Sequence, residues 1–226
     1  DGQDLRQILH DLNHEIPEVV DKFPLPRLLD ILIQVCQTIA YAHEMGVIHR
    51  DLKPANIIVG KFGEVYVLDW GLAKIKGSQN LVSSRISKDP IPQDFKLTPT
   101  GRAYGTPLYM SPEIATGDPN LDERSDVFAL GLILFEILTL RAFLEGGDII
   151  EIKQKILERP YPLPREVGPN RKIPLELQAI CMKALQRKKE RRYPNVQNFL
   201  EDLQRFRHGE EVSVYWYSGW EKLTRW

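Results

Sequence analysis

The sequence predicts a mainly α-helical domain, a bundle around a buried central helix, with a small β-hairpin at one edge. Three observations carry that expectation. Apolar residues recur at three- and four-residue spacing through several long segments. One segment, Val127–Leu138 (VFALGLILFEIL), is apolar on nearly every face, the mark of a helix enclosed by protein. Strand-like runs stand out in one place, Ile57–Val59 and Glu64–Leu68, on either side of a Gly60–Gly63 turn.

The first helix opens within DGQDLRQILHDL, where Asp4 suits an N-cap and Leu5, Ile8, Leu9 and Leu12 fall on one face. A second runs from about Pro26 to Met45. Its residues Leu28, Leu32, Val35, Ile39 and Ala42 keep register, Pro26 is tolerated in the first turn, and Gly46 can end it. A short polar loop and the hairpin follow. From about Lys76 to Ala103 the chain is rich in Ser, Pro, Lys, Asp and Thr, and is expected to lack regular structure. Further helices are expected near Val127–Leu138, Asp148–Leu157, Leu175–Leu185 and Pro194–Phe206. In the last of these Val196, Phe199, Leu200, Leu203 and Phe206 form one stripe.

With 226 residues, 42% of them apolar and 27% charged, the chain can bury one substantial core in one or two domains. A net charge of −1 supplies no global field for nucleic acid or an anionic membrane, so no nucleic-acid partner is expected. Cys36 and Cys181 each sit in an apolar helical pattern and read as buried free thiols rather than a disulfide. The Val127–Leu138 run contains Glu136 and is shorter than the roughly 20 residues a membrane span needs. There is no signal-peptide pattern, and a cytoplasmic domain is expected.

The loop between the second helix and the hairpin reads VIHRDLKPANIIV, Val47 to Val59. It sets a carboxylate, a cation and an amide (Asp51, Lys53 and Asn56) within one turn, and the hairpin then returns the chain to Asp69. HRDLKPAN resembles the catalytic loop of eukaryotic-like protein kinases. DWG at Asp69–Gly71 stands where that family has Asp-Phe-Gly, and SPE at Ser111–Glu113 where it has Ala-Pro-Glu. Lys53, two residues after Asp51, is the serine/threonine form, and KFGEVYVLDWGLAK and GTPLYMSPE are most similar to bacterial members. The resemblance is to the C-terminal lobe. It assigns residues 1–210 to that lobe, 69–113 to its activation segment, and 211–226 to an aromatic and basic extension towards a juxtamembrane or following domain.

This resemblance implies transfer of the ATP γ-phosphoryl group to Ser/Thr hydroxyls of proteins, a reaction that needs positioning and charge neutralisation more than covalent help. In it Asp51 orients the hydroxyl and accepts its proton, and Lys53 offsets charge on the moving phosphoryl. Asn56 and Asp69 offer oxygens to Mg²⁺, with Mn²⁺ as the alternative. Ile58 forms the floor under adenine, so Lys53, Asn56, Ile58 and Asp69 make up the nucleotide site, while Thr106 bonds to Asp51 and Lys53. His49 and Trp70 are structural, Trp70 being larger than the family's Phe and carrying an N–H in need of a partner. Glu113 pairs with Arg192, and Asp126 holds the loop backbone. Arg50 engages a phosphate on Thr98 or Thr100, eight and six residues before Thr106, unless these are ordinary loop residues.

GKFGEVYV at Gly60–Val67 superficially resembles a phosphate-covering Gly-rich loop. It follows Asp51 and lacks the motif's first glycine, so it reads as a hairpin turn. No other Gly-rich loop and no Val-Ala-x-Lys strand is present, which places the N-terminal lobe upstream of Asp1 and leaves these residues inactive alone. Partners implied are that lobe, protein substrates, and a second copy for autophosphorylation. The tail VSVYWYSGWEKLTRW, with Trp216, Trp220 and Trp226, suits a membrane interface, with anchoring through segments after Trp226; packing on this or another domain is the alternative and is slightly favoured. The cluster Arg187, Lys188, Lys189, Arg191 and Arg192 reads as a solvated helix end plus the Glu113 pair. Two other classes remain: a pseudokinase scaffold, opposed by intact Asp51, Lys53, Asn56 and Asp69, and a small-molecule phosphotransferase, opposed by SPE and Thr106.

Overall fold

A computed structural model describes residues 2–70, 74–75, 106–144 and 148–218. The described chain is mostly helical. Strand β1 (Gly2–Asp4) leads directly into α1 (Leu5–Asn13), and the Asp4 carboxylate caps that helix by accepting the Gln7 N–H at 2.9 Å. Leu5, Ile8, Leu9 and Leu12 are all buried. A short α2 (Pro17–Lys22) precedes α3 (Leu25–Glu44), which Gly46 ends with φ 77° and an N–H donated to the His43 carbonyl.

α3 packs against α9 (Val196–Arg207) and α5 (Arg124–Thr139), and α5 against α8 (Leu175–Ala184). All of the α5 residues except Arg124 and Glu136 are buried. The low polarity of the segment makes this possible; a helix with a polar face could not be covered all round. Gly131 permits the close approach of α8, since a Cβ there would lie 2.8 Å from Ala184 Cβ and 3.1 Å from Leu185 Cδ2. Cys36 and Cys181 are both free and fully buried.

The remaining helices are α4 (Pro112–Thr116), α6 (Ile149–Leu157) and α7 (Pro164–Val167). α4 and α6 build a smaller cluster around Met110, Ala115, Leu144, Ile152 and Ile156. Among the described residues, no helix is long and apolar enough to cross a membrane.

The expected hairpin forms from β3 (Ile57–Gly60) and β4 (Val65–Val67), closed by the Gly63 N–H on the Gly60 carbonyl. It is not alone. β1 adds antiparallel to the other edge of β3, giving a three-stranded sheet in the order β1–β3–β4. This corrects the two-stranded expectation; three residues with one apolar neighbour carry no alternation to read. A separate pair joins β2 (Val47–Ile48) to β5 (Lys74–Ile75). Residues 76–105, including Thr98 and Thr100, and the tail from residue 219, including Trp220 and Trp226, lie outside the described residues.

Candidate active site

The loop between β2 and β3 is built around one carboxylate of the central helix. Asp126, in the first turn of α5 and 1% exposed, accepts the Arg50 N–H through Oδ1 at 2.9 Å and the His49 N–H through Oδ2 at 2.8 Å. Its Oδ2 also takes the Nε2–H of His43, at 2.8 Å, from the last turn of α3. A carboxylate at a helix N-terminus is favourably placed against the helix dipole. Here it also satisfies backbone donors of a loop with no ladder of its own. Arg50 needs such support, because its φ of 69° is a left-handed conformation uncommon for a non-glycine residue.

His49 ties the loop to the hairpin. Its Nδ1 accepts the Asp51 N–H at 3.3 Å, which puts the ring proton on Nε2, and Nε2 donates to the Leu68 carbonyl at 3.1 Å. The ring is fully buried and lies 4.6 Å from that of Trp70. The Trp70 indole N–H finds its partner in the Val67 carbonyl at 3.1 Å.

On this frame Asp51 and Asn56 are buried and Lys53 is partly buried. Lys53 Nζ donates to Asp51 Oδ2 at 2.6 Å. A 3₁₀ turn, Pro54–Asn56, brings the Asn56 side chain back so that Nδ2 donates to the Asp51 carbonyl at 2.9 Å and to Oδ2 at 3.3 Å. With its NH₂ committed there, Oδ1 is the Asn56 atom available to a cation. The Asn56 carbonyl accepts the Leu68 N–H at 2.8 Å, which sets Asp69 one residue beyond this pairing. Asp69 is exposed with φ 63°, so its carboxylate is open to solvent beside the turn.

The donor set fits a hard cation shared with a phosphate ligand. Asn56 and Asp69 offer an amide oxygen and a carboxylate, and among the described residues no group of three or more His, Cys, Asp or Glu could hold a metal alone. Mg²⁺ is commonly bound by one or two protein oxygens plus phosphate and water. Ile58 lies in the middle strand, paired with Asp4 and Tyr66, and is half-buried. Thr106 opens the 3₁₀ turn Thr106–Tyr109, and its side chain lies outside the described part. The Arg50 guanidinium is partly buried, with Nε unpartnered among the described residues; burial lowers its pKa against the opposing charge of Asp126.

The scaffold around the site is strongly paired. Arg192 grips Glu113 with both ends, Nη1 to Oε1 at 2.6 Å and Nη2 to Oε2 at 2.7 Å, and Ser125 Oγ donates to Oε1 at 2.8 Å. Burial alone would raise the Glu113 carboxyl. The hydrogen bonds and charge of Arg192, with a backbone N–H and Ser125, outweigh it and hold the group below the ordinary carboxylate range.

The rest of the basic cluster is not simply solvated. Arg187 donates to the Ile156 and Arg159 carbonyls and lies over Tyr161, and Lys189 bonds to the Asn120 carbonyl beside Asp118 and Asp122.

Sequence reasoning missed three groups. His43 is a lone histidine in a helical stripe, and its partner Asp126 is 83 positions away. Tyr109 donates to Glu136 of α5, and burial together with that carboxylate pushes the phenol pKa well up. Asp202 of α9 accepts from Tyr193 Oη and from both the N–H and hydroxyl of Ser213. The last contact seats the start of the tail on the domain, with Val212 and Tyr217 buried and Trp216 left outside.

The protein kinase domain family model matches residues 6–202. The chain is 34% identical over 216 residues to the serine/threonine-protein kinase PknD of Protochlamydia amoebophila (strain UWE25), covering 92% of this chain and 22% of that protein. Likeness to the proteins of the same name from Chlamydia pneumoniae and Chlamydia felis is 37% over 191 residues and 35% over 195. These cover 83% and 85% of this chain and 20% of each relative. The chain thus spans about a fifth of the length of the curated relatives it matches. On the loop geometry and these matches together, the chain belongs to the protein kinase domain family, in its bacterial serine/threonine branch.

Proposed function

We propose that this chain is the C-terminal catalytic lobe of a serine/threonine protein kinase that moves the γ-phosphoryl group of ATP to protein hydroxyls. The observation that carries the reading is the convergence of Lys53 and Asn56 on the Asp51 carboxylate within a loop pinned by Asp126. In the reaction Asp51 orients the substrate hydroxyl and accepts its proton. Lys53, already within bonding distance of that carboxylate, offsets negative charge on the transferred group. Asn56 and Asp69 hold Mg²⁺, which when bound neutralises charge on the phosphate oxygens. Ile58 lies under adenine, and Thr106 bonds to Asp51 and Lys53 while presenting the peptide.

Residues 69–113 are the activation segment. Phosphate on Thr98 or Thr100 is held by Arg50, whose buried Nε, unpartnered among the described residues, supports a role for an added anion. Glu113, Arg192 and Asp126 act as scaffold. Partners are an N-terminal lobe, protein substrates and a second copy for autophosphorylation, in the cytoplasm or on the cytoplasmic side of a membrane anchor.

The reading is tested by incubating full-length protein with ATP, Mg²⁺ and a generic Ser/Thr protein substrate. Turnover is expected, and Asp51→Asn lowers it by about 10²–10⁴-fold. Turnover unchanged in Asp51→Asn would sink the assignment. The 226 residues alone, without the Gly-rich loop and strand lysine that complete a nucleotide site, are expected to give no turnover.

A further inference from the structure

A groove of about 360 Å³ opens where α2 and the start of α3 face the far end of the hairpin. It is separate from the catalytic turn: Gly60, on its floor, is four residues along β3 from Asn56, about 13 Å in strand geometry. Three cations line it, one from each element: Lys22 at the end of α2, Arg27 in the first turns of α3, and Lys61 in the hairpin turn. Among the described residues no acidic side chain lines it, and none of the three cations makes an ion pair with another described residue. The hairpin's own acid, Glu64, folds against Gly60, accepts the Phe62 N–H through Oε2 at 3.0 Å, and lies outside the lining.

The shape is built into the backbone. Gly2 and Gly60 are directly paired across β1 and β3, so neither strand projects a side chain at that register position. A Cβ on Gly2 would lie 2.7 Å from Ile58 Cγ2. Gly63, at φ 94°, lets the Arg27 guanidinium lie against the turn; a Cβ there would be 2.4 Å from Nη2. Lys22 extends over the ring of Phe23, which is itself buried in the wall. Positive groups supplied from three sides of an open groove match several carboxylates along a chain better than a single point charge.

We propose that this groove is a docking site for an acidic, Asp/Glu-rich segment of a partner polypeptide, remote from the chemistry at Asp51. The test is fluorescence anisotropy of a labelled Glu/Asp decapeptide against full-length protein, beside its Gln/Asn counterpart. The acidic peptide is expected to bind more tightly and to weaken as salt is raised. Lys22 and Lys61 are exposed, so K22E/K61E is expected to keep the wild-type melting temperature while losing about tenfold or more in affinity. The milder K22Q/K61Q is expected to fall between. Equal binding of the two peptides, unchanged affinity in K22E/K61E, or equally tight binding of a single-stranded RNA decamer would overturn the assignment. Anisotropy reads the groove directly, so the result does not depend on turnover at Asp51.

Discussion

Arg192 donates all five of its guanidinium N–H groups, and Glu113 receives two of them. The other three go to the carbonyls of Gln186, Arg124 and Arg187. The arginine side chain is wholly buried, with the ring of Phe128 4.8 Å beneath it. Removing one member of such a pair leaves an uncompensated buried charge, and Glu113→Gln or Arg192→Ala is expected to cost about 3–5 kcal/mol. Urea denaturation of wild type and variants measures it. Arg192→Lys, with three donors for five acceptors, should fall short of rescue.

Buried Glu113 and half-buried Glu136 are expected to titrate in opposite senses. Glu113 is held low, so its contribution is complete above the ordinary glutamate pKa of about 4.3 and is lost as pH falls below that towards its depressed folded value. Glu136 is raised by burial, against the Tyr109 hydrogen bond, so its ionised form weighs on the fold. That cost is absent at acid pH and grows as pH rises from about 4.3 through the raised value. Melting temperature against pH should therefore change shape in each variant. Glu136→Gln is expected to flatten the upper limb, and Glu113→Gln to remove the acid-side fall.

Asp126→Ala is expected to loosen the loop that carries His49, Arg50 and Asp51 before it unfolds the domain. The change orphans the His49 and Arg50 N–H groups and the His43 ring, each buried donor costing about 1–3 kcal/mol. Hydrogen exchange should show the His49 and Arg50 amides losing protection first. Protection unchanged at both would mean that the carboxylate does not hold the loop.

Gly131→Ala is expected to destabilise by about 1–3 kcal/mol, because the new methyl meets Ala184 Cβ, which has no rotamer to turn away, and the buried Leu185 side chain. Pairing it with Ala184→Gly should recover part of the loss, read by thermal unfolding.

The helices were legible because their apolar spacing is a local property. α3 begins one residue before its expected start, and α5 extends three residues beyond its apolar run at the N-terminal side, where Arg124, Ser125 and Asp126 carry no hydrophobic signal. The HRD loop was legible because its chemistry is compressed into eight consecutive positions. β1 was not, since three residues gain their conformation only from pairing with β3. Nor was His43, whose meaning lies in Asp126, or Asp202, whose three donors arrive from Tyr193 and the tail. Contacts of that range are set by packing, and no periodicity announces them.

His49 gives at one nitrogen and receives at the other, so the stretch bearing Asp51 and the strand end leading to Asp69 travel as a single piece. Any breathing of this cleft has to pivot elsewhere, before Val47 or after Leu68.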